Sequence, residues 1–92
     1  MPVSNSSLPK LSLYHRDFCM YCSRVMMAVD HYGIEIESMN VWNDQEALRD
    51  LQAATGRNTV PVLKIEDAAG EVTWLPESND IIRYLGKQAL AT

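Results

Sequence analysis

Two cysteines separated by two residues constrain this chain more than any other feature of its sequence. Cys19 and Cys22 are the only cysteines among 92 residues. They can form one disulfide, but not the disulfide framework that stabilises many small secreted domains. They are also too few to form a tetrahedral zinc site by themselves. The chain must therefore be stabilised by a hydrophobic core, and its length is sufficient for one such core.

The composition is that of a globular protein, with 47% hydrophobic and 22% charged residues. Twelve acidic residues against eight basic ones give a net charge of −4, which argues against nucleic acid or an anionic membrane surface as the main partner. No apolar run is long enough to span a bilayer, and the first residues lack the apolar stretch of a secretory signal. We therefore expect a cytoplasmic, monomeric protein.

Hydrophobic periodicity predicts strands that alternate with helices. The predicted strands cover residues 11–15, 34–41, 60–65 and 71–74, and the predicted helices cover 21–32, 43–55 and the chain from 77 onward. Asp44 is expected to cap the second helix, and Gly33 and Gly56 are expected to end the first two helices. The order β-α-β-α-β-β-α predicts an α/β fold with a four-stranded mixed sheet and three helices.

The sequence also predicts the extent of the domain and some of its buried residues. Residues 1–9 are rich in Ser, Asn and Pro, and we expect them to form a flexible tail that precedes a domain at 10–92. Leu90 is expected on the buried stripe of the last helix. Trp42 and Trp74 are expected to be partly buried anchors.

The cysteine pair lies where the first predicted strand passes into the first predicted helix. Unpaired backbone N–H groups at a helix N-terminus stabilise an anion, so a cysteine placed there loses its proton readily. Cys19 is therefore predicted to be an exposed, attacking thiolate. Cys22, one turn later on the same helical face, is predicted to be a less exposed thiol that resolves the intermediate. Arg16 adds positive charge on the approach side.

Two other interpretations of the cysteine pair are open at this point. The pair could be half of a zinc site whose remaining ligands are His15 and His31. The two cysteines could also be inert, because a free cysteine is often a small buried hydrophobic residue. The position at a strand-to-helix junction favours the redox interpretation over both.

Three motifs, in this order along the chain, resemble those of the glutaredoxins, a family of the thioredoxin-fold superfamily. Residues 14–22 resemble the pattern K-x-x-C-P-Y-C, with Arg16 in the lysine position. Residues 55–61 resemble the pattern G-R-x-T-V-P. Residues 77–81 stand in the place of the pattern G-G-x-D-D, but they are closer to the E-S-x-A-I of glutathione S-transferase N-terminal domains. The resemblance extends over residues 11–90.

This resemblance implies a thioredoxin-like sandwich and a glutathione-dependent thiol–disulfide oxidoreductase. Such an enzyme reduces protein disulfides and protein–glutathione mixed disulfides, so glutathione is its co-substrate and disulfide-bearing or glutathionylated proteins are its partners. The catalytic residues that it implies are Cys19 and Cys22. The glutathione-binding residues that it implies are Arg16, Tyr21, Arg57, Thr59, Val60, Pro61, Ser78, Asn79 and Asp80.

The resemblance also implies how glutathione is bound. A cis peptide bond between Val60 and Pro61 would turn the backbone of Val60 towards a ligand that pairs with it like an added strand. The start of the last helix, at Ser78, would bind the γ-glutamyl carboxylate with backbone N–H groups. Asp80 would accept a hydrogen bond from the α-amine, and Arg16 and Arg57 would bind the glycine carboxylate. Some of these residues also have an ordinary structural explanation. Ser78 and Asp80 could cap the helix, Arg57 could be a solvated loop charge, and Pro61 could be an edge-strand or strand-start proline.

One departure from the glutaredoxin pattern leaves two alternative functions open. Met20 follows the first cysteine in place of proline. Loss of this proline is associated, in the family, with members that bind a [2Fe–2S] cluster between two chains through the first cysteine of each, here Cys19, and two glutathiones. The sequence of residues 77–81 suggests the other alternative, a non-catalytic glutathione-binding domain similar to those of glutathione S-transferases.

Overall fold

A computed structural model describes residues 9–91, so the predicted flexible tail lies outside the described residues except for Pro9. Four strands and three helices form in the predicted order. They are β1 (Lys10–His15), α1 (Met20–Tyr32), β2 (Glu37–Asn40), α2 (Gln45–Thr55), β3 (Val62–Glu66), β4 (Val72–Leu75) and α3 (Ser78–Ala91). Among the described residues, no helix combines the length and the apolar character needed to cross a bilayer.

The strands form one mixed sheet in the order β2-β1-β3-β4. Strand β1 pairs in parallel with β2, and the β1–β3 and β3–β4 pairs are antiparallel. These directions place the carboxyl ends of β1, β2 and β4 and the amino end of β3 along the same edge of the sheet. We call this edge the site edge, because every motif of the sequence analysis lies on a loop or helix start beside it. The predicted α/β architecture is thus confirmed.

Alternating side chains of β1 divide the core into two clusters, one on each face of the sheet. Leu11 and Leu13 belong to the larger cluster, which α1 and α3 cover with residues such as Val25 and Leu85. Tyr14 belongs to the smaller cluster, to which α2 contributes its buried side chains. The sheet is therefore the middle layer of a three-layer sandwich, and its central strand β1 leads directly to the cysteines.

The helix ends follow the predicted capping residues. Asp44 Oδ1 accepts hydrogen bonds from the backbone N–H groups of Glu46 and Ala47, at 3.0 and 3.2 Å, which satisfies two donors that a helix start leaves unpaired. Gly33 and Gly56 have φ angles of 64° and 71°, a left-handed conformation that glycine adopts without the steric cost of a side chain. The predicted positions of these helix ends are confirmed.

Four predictions about strand ends and burial are wrong. The second strand covers Glu37–Asn40 rather than 34–41, because only these residues pair with β1. The third begins at Val62 rather than at residue 60. Leu90 is 90% exposed, because a rotation of about 100° per residue places it on the opposite side of α3 from the buried residue nine positions earlier. Trp42 is 55% exposed, because its ring packs on the loop before α1 rather than on the core.

Candidate active site

Cys19 is the N-cap residue of α1. Its backbone is extended, with φ −117° and ψ 111°, so the helix begins immediately after it. Its Sγ accepts a hydrogen bond from the backbone N–H of Cys22 at 3.2 Å, and its carbonyl oxygen accepts one from the N–H of Ser23 at 3.0 Å. The sulfur of Cys19 thus receives a backbone donor and lies at the positive end of the helix dipole.

The two sulfurs differ less in exposure than their positions predict. Cys19 is 7% exposed and Cys22 is 3% exposed, so the prediction of an exposed attacking cysteine is wrong. The reason is the capping bond, which turns the sulfur of Cys19 inward over the first turn of the helix. Its chain neighbours extend outward instead, with Phe18 92% and Met20 77% exposed. Both cysteines are free thiols.

Cys22 is held as a protonated thiol. Burial, together with a side-chain hydrogen bond to Cys19, raises the pKa of Cys22 to about 12. A backbone hydrogen bond from Arg16 and the charge of its guanidinium lower this pKa, but by less than burial raises it. Cys22 is therefore a neutral thiol at neutral pH and can donate its proton in a hydrogen bond towards the sulfur of Cys19.

The loop before β3 brings a cis proline to the site edge. The peptide bond between Val60 and Pro61 is cis, as the resemblance implied. Pro61 is buried and Val60 is partly buried, whereas Thr59 is exposed. The backbone of this loop thus lies beside the start of β3, next to the central strand that leads to Cys19. A backbone edge of this kind can pair with an extended ligand.

The start of α3 provides the second group of predicted ligand-binding residues. Ser78 opens the helix and Asn79 and Asp80 follow in its first turn, where backbone N–H groups are unpaired and favour an anion. Asp80 carries an ion pair with Arg83 at 3.3 Å between two well exposed side chains. Such a pair contributes little stability, so an amine of a ligand could replace Arg83 at small cost.

Arg57 and Thr59 lie together, but at a distance from the cysteines along the loop. They line a cleft of about 310 Å³ with four other residues: Ala54, Thr55, Trp74 and Pro76. The loop is ordered by Thr55, whose Oγ1 accepts a hydrogen bond from the backbone N–H of Arg57 at 3.2 Å. Arg57 is exposed, so its guanidinium can reach a carboxylate at this end of the site. Tyr21, 59% exposed, extends from the first turn of α1.

Arg16 contacts its own loop and an aromatic ring. Its Nη1 donates hydrogen bonds to the carbonyl oxygens of Asp17 and Phe18, at 3.1 and 3.4 Å. The guanidinium carbon lies 5.5 Å from the ring centroid of Trp42, in cation–π geometry. The structure thus places Arg16 on the β2 side of Cys19, whereas Arg57 and Ser78 lie on the β3 and β4 side.

Three residues beside the site were missed by the sequence analysis. The rings of Phe18 and Trp42 lie 6.1 Å apart between centroids. Asn40 joins their loops, because its Nδ2 donates to Asp17 Oδ1 at 3.1 Å and its Oδ1 accepts the backbone N–H of Trp42 at 2.9 Å. No local motif announces the contact of Phe18 with Trp42 or that of Asp17 with Asn40, since each joins residues more than twenty positions apart. The position of Phe18 directly before Cys19 was the one available signal.

His15, the last residue of β1, does not extend the cysteine pair into a metal site. Among residues 9–91, no group of three or more His, Cys, Asp or Glu side chains lies close enough to hold a metal ion, so His15 and His31 do not complete a zinc site with the cysteines. The Nε2 atom of His15 is buried without a hydrogen-bond partner. Burial lowers the pKa of His15, and the charge of Asp17 partly opposes this shift.

Solved structures that resemble the chain fall into two groups. Maleylacetoacetate isomerase from Anaeromyxobacter dehalogenans 2CP-1, solved with dicarboxyethyl glutathione and citrate in its active site, is 27% identical, with a TM-score of 0.69 over 91% of this chain and 39% of that chain. The sigma class glutathione S-transferase of Fasciola hepatica is 17% identical, with a TM-score of 0.69 over 89% and 38%. The thioredoxin-like protein BC3987 is 22% identical, with a TM-score of 0.65 over 83% and 99%.

These comparisons agree on the fold and on a family. The similarities to the Fasciola hepatica transferase and to BC3987, both below 25% identity, show the thioredoxin-like fold alone. The chain spans about two fifths of the length of the isomerase and of the transferase. No curated protein sequence matches this chain significantly.

The family model described as "Glutathione S-transferase, N-terminal domain" matches residues 13–91, which is most of the chain. The protein therefore belongs to the glutathione S-transferase N-terminal domain family.

Proposed function

We propose that the protein is a glutathione-dependent thiol–disulfide oxidoreductase in which Cys19 is the attacking sulfur. One observation carries this proposal: the Sγ of Cys19 caps α1 and accepts the backbone N–H of Cys22 at 3.2 Å. The sulfur at this helix start would act as the attacking thiolate, which is the reactive form in disulfide exchange. The second sulfur, three residues later and protonated, gives the site the proton and the resolving thiol that such chemistry uses.

Glutathione is the co-substrate that the family and the site support. The isomerase that is 27% identical to this chain was solved with a glutathione derivative in its active site. On this chain, the backbone of Val60 would pair with the extended tripeptide, and the N–H groups at Ser78 would bind its γ-glutamyl carboxylate. Arg57 is the exposed cation on the same side, available to the glycine carboxylate.

The reaction proceeds by two sulfur exchanges. The Cys19 thiolate attacks the glutathione sulfur of a protein–glutathione mixed disulfide, so a Cys19–glutathione disulfide forms and the protein sulfur leaves as a thiolate, which takes a proton. A second glutathione, as its thiolate, then attacks the glutathione sulfur bound to Cys19. Oxidised glutathione leaves and the Cys19 thiolate is restored. The net reaction consumes one glutathione thiol for each mixed disulfide: its sulfur enters oxidised glutathione, and the protein sulfur is released as a thiol.

Cys22 supports a second, slower route. It can attack the Cys19–glutathione disulfide, which forms a Cys19–Cys22 disulfide and releases glutathione. This step requires the Cys22 thiolate, and burial, the largest cause of the raised pKa of Cys22, keeps that species scarce at neutral pH. We therefore expect glutathionylated substrates to be reduced mainly by the route that uses Cys19 alone. Protein disulfides, which need the second cysteine for release, should be reduced more slowly.

The test compares two single substitutions in a glutathione-linked reduction assay. Cys19→Ser should lower the reduction of a glutathione mixed disulfide by at least about 10³-fold, because the nucleophile is lost. Cys22→Ser should keep this activity within about threefold of the original, since the second glutathione replaces the resolving thiol. Activity retained by Cys19→Ser, or abolished by Cys22→Ser alone, would refute the proposal.

The family match favours one other function, glutathione transfer or isomerisation without redox chemistry. In that case the domain would bind glutathione and present the sulfur of the ligand, rather than its own cysteine, to an electrophile. The same Cys19→Ser variant separates the two functions. A transferase would keep its glutathione conjugation activity after this substitution, whereas a thiol–disulfide oxidoreductase would lose its mixed-disulfide reduction.

The residues around Cys19 do not fit a shared [2Fe–2S] cluster well. In such an arrangement the sulfur of Cys19 must reach a cluster between two chains. Here that sulfur is turned into its own helix, and the large side chains of Phe18 and Met20 extend into solvent on either side of it. We therefore expect a colourless monomer after anaerobic purification, in keeping with a cytoplasmic reductase. A brown dimer with visible absorbance would favour the cluster carrier.

A further inference from the structure

We propose that Phe18 and Trp42 form a binding subsite for an apolar side chain of the protein substrate. We call these two rings the aromatic platform. The inference rests on the proposed function and deepens it, because it states which glutathionylated cysteines the enzyme would prefer. The preferred cysteines are those with an aromatic or large aliphatic residue next to them in the substrate sequence.

The first observation is the exposure of the two rings. Phe18 is 92% and Trp42 is 55% exposed, yet their centroids lie 6.1 Å apart in a tilted arrangement. Side chains of this size contribute most to stability when they are buried. Rings that contact each other but remain open to solvent leave apolar area available to a ligand, as binding surfaces do.

The second observation is that the platform is held rigidly. Phe18 has a φ angle of 56°, a left-handed conformation that is rare and costly for a bulky residue. Asn40 joins the two loops through its bond to Asp17, and it also bonds the backbone of Trp42. Arg16 lies over the ring of Trp42 and donates to the carbonyl oxygen of Phe18. A preorganised apolar surface loses little entropy when it binds a ligand.

The third observation is the position of the platform along the site edge. Trp42 follows β2, Cys19 follows β1, Val60 precedes β3 and Ser78 follows β4, and the sheet order is β2-β1-β3-β4. The platform and the proposed glutathione-binding backbone therefore lie on opposite sides of Cys19. When the glutathione half of a mixed disulfide occupies the β3 and β4 side, the protein half of that disulfide extends over the β2 side.

These positions define the occupant. The platform is apolar and aromatic, so it favours the side chain of Phe, Tyr, Trp, Leu or Met, and its ring edges and faces suit an aromatic ring best. The charge of Arg16 is already shared between Trp42 and two carbonyl oxygens, so it adds little preference for an acidic residue. A glutathionylated peptide with an aromatic residue next to its cysteine fits both the apolar surface and its place beside the sulfur.

The test uses two glutathionylated peptides that differ only in the residue after the cysteine, Phe in one and Ser in the other. The unmodified enzyme should reduce the Phe peptide with a kcat/KM about five- to tenfold higher, the discrimination expected from one aromatic contact. In the double variant Phe18→Asn with Trp42→Ala, this ratio should fall below about 2. Asparagine tolerates the left-handed backbone at residue 18, so the loop can keep its shape.

A matched control and a small substrate make the result specific. Leu90→Ser removes a side chain that is 90% exposed on α3 and should leave the peptide ratio unchanged. The mixed disulfide of cysteine and glutathione, which has no neighbouring residue, should be reduced by the double variant within about twofold of the original rate. Equal losses on all three substrates would overturn the proposal, because the platform would then serve glutathione binding or the shape of the loop.

A direct binding measurement keeps this proposal separate from the proposed function. The indole N–H signal of Trp42 can be followed by nuclear magnetic resonance while peptides without a disulfide are added. The signal should shift with the peptide that contains Phe and should not shift with the matching peptide that contains Ser. This result would support the platform even if the protein reduced no disulfide. Turnover of mixed disulfides without peptide preference and without this shift would refute the platform and leave the oxidoreductase standing.

Discussion

The two sides of Cys19 along the site edge differ in the groups that form them, mainly backbone on one side and aromatic side chains on the other. Towards β3 and β4 the site consists mainly of backbone, namely the cis peptide before Pro61 and the first turn of α3 at Ser78, to which Arg57 adds a charged side chain. Towards β2 it consists of the side chains Phe18 and Trp42, whose loops are linked by the hydrogen bond from Asn40 to Asp17. Backbone features need particular residues at fixed spacing and leave a motif, whereas a contact between two loops leaves none.

The largest expected effect concerns the sulfur pair that lies between the two sides. At pH 7 one equivalent of iodoacetamide should modify Cys19, while Cys22 should react about a thousandfold more slowly than an ordinary thiol. The reason is the rise of its pKa from 9.0 to about 12, which reduces the thiolate fraction by that factor. Peptide mass mapping over time measures both rates, and unfolding in urea, where Cys22 should react normally, is the control. Equal rates in the folded protein would contradict this assignment.

The next effect concerns the side towards β3 and β4. Arg57→Gln should raise the KM for glutathione about three- to tenfold, because an exposed charge-assisted hydrogen bond to a carboxylate is lost. The preference between the Phe and Ser peptides should not change. Arg49→Gln, which removes an exposed arginine from α2, is the control. If Arg57→Gln changed the peptide preference instead, the division of the site into two sides would be wrong.

A smaller effect concerns the side towards β2. Asn40→Ala should lower the free energy of unfolding by about 1 kcal/mol, since it removes one hydrogen bond between the loops, to Asp17, and one within the turn, to the N–H of Trp42. It should also weaken the preference for the Phe peptide and leave the KM for glutathione unchanged. Urea unfolding and peptide kinetics measure these effects. Asn43→Ala, in the same turn region, should change neither property. A rise in the KM for glutathione would show that Asn40 serves both sides of the site.

The smallest expected effect is the pH dependence of stability that His15 contributes. Burial lowers the pKa of His15 below its ordinary value of 6.5, so the unfolded chain binds this proton more tightly. The contribution is therefore fully present above pH 6.5 and is lost as the pH falls below it. Thermal unfolding between pH 8 and pH 5 should show this decline, and His15→Gln should flatten it. An unchanged slope in the variant would assign the decline to other groups.

The sequence was sufficient for the strands, helices and motifs, because these depend on local patterns. Periodicity identified all seven elements, and Asp44 and Gly33 marked helix ends through bonds within a few residues. The sequence was not sufficient for exposure near the site. Cys19 is buried, contrary to expectation, since its sulfur turns back to the N–H of Cys22. Trp42 is exposed because its partners, Phe18 and Arg16, come from a distant loop.

The sequence by itself determined that two sulfurs stand at a strand-to-helix junction, in a chain that alternates strands and helices. The spacing of the cysteines and the helical period place both on the first turn, whatever the rest of the chain does. Only the tertiary structure decided what lies on each side of Cys19. The sheet order brings the loop of Trp42 to one side and that of Pro61 to the other, and strand order depends on long-range pairing that no local pattern encodes.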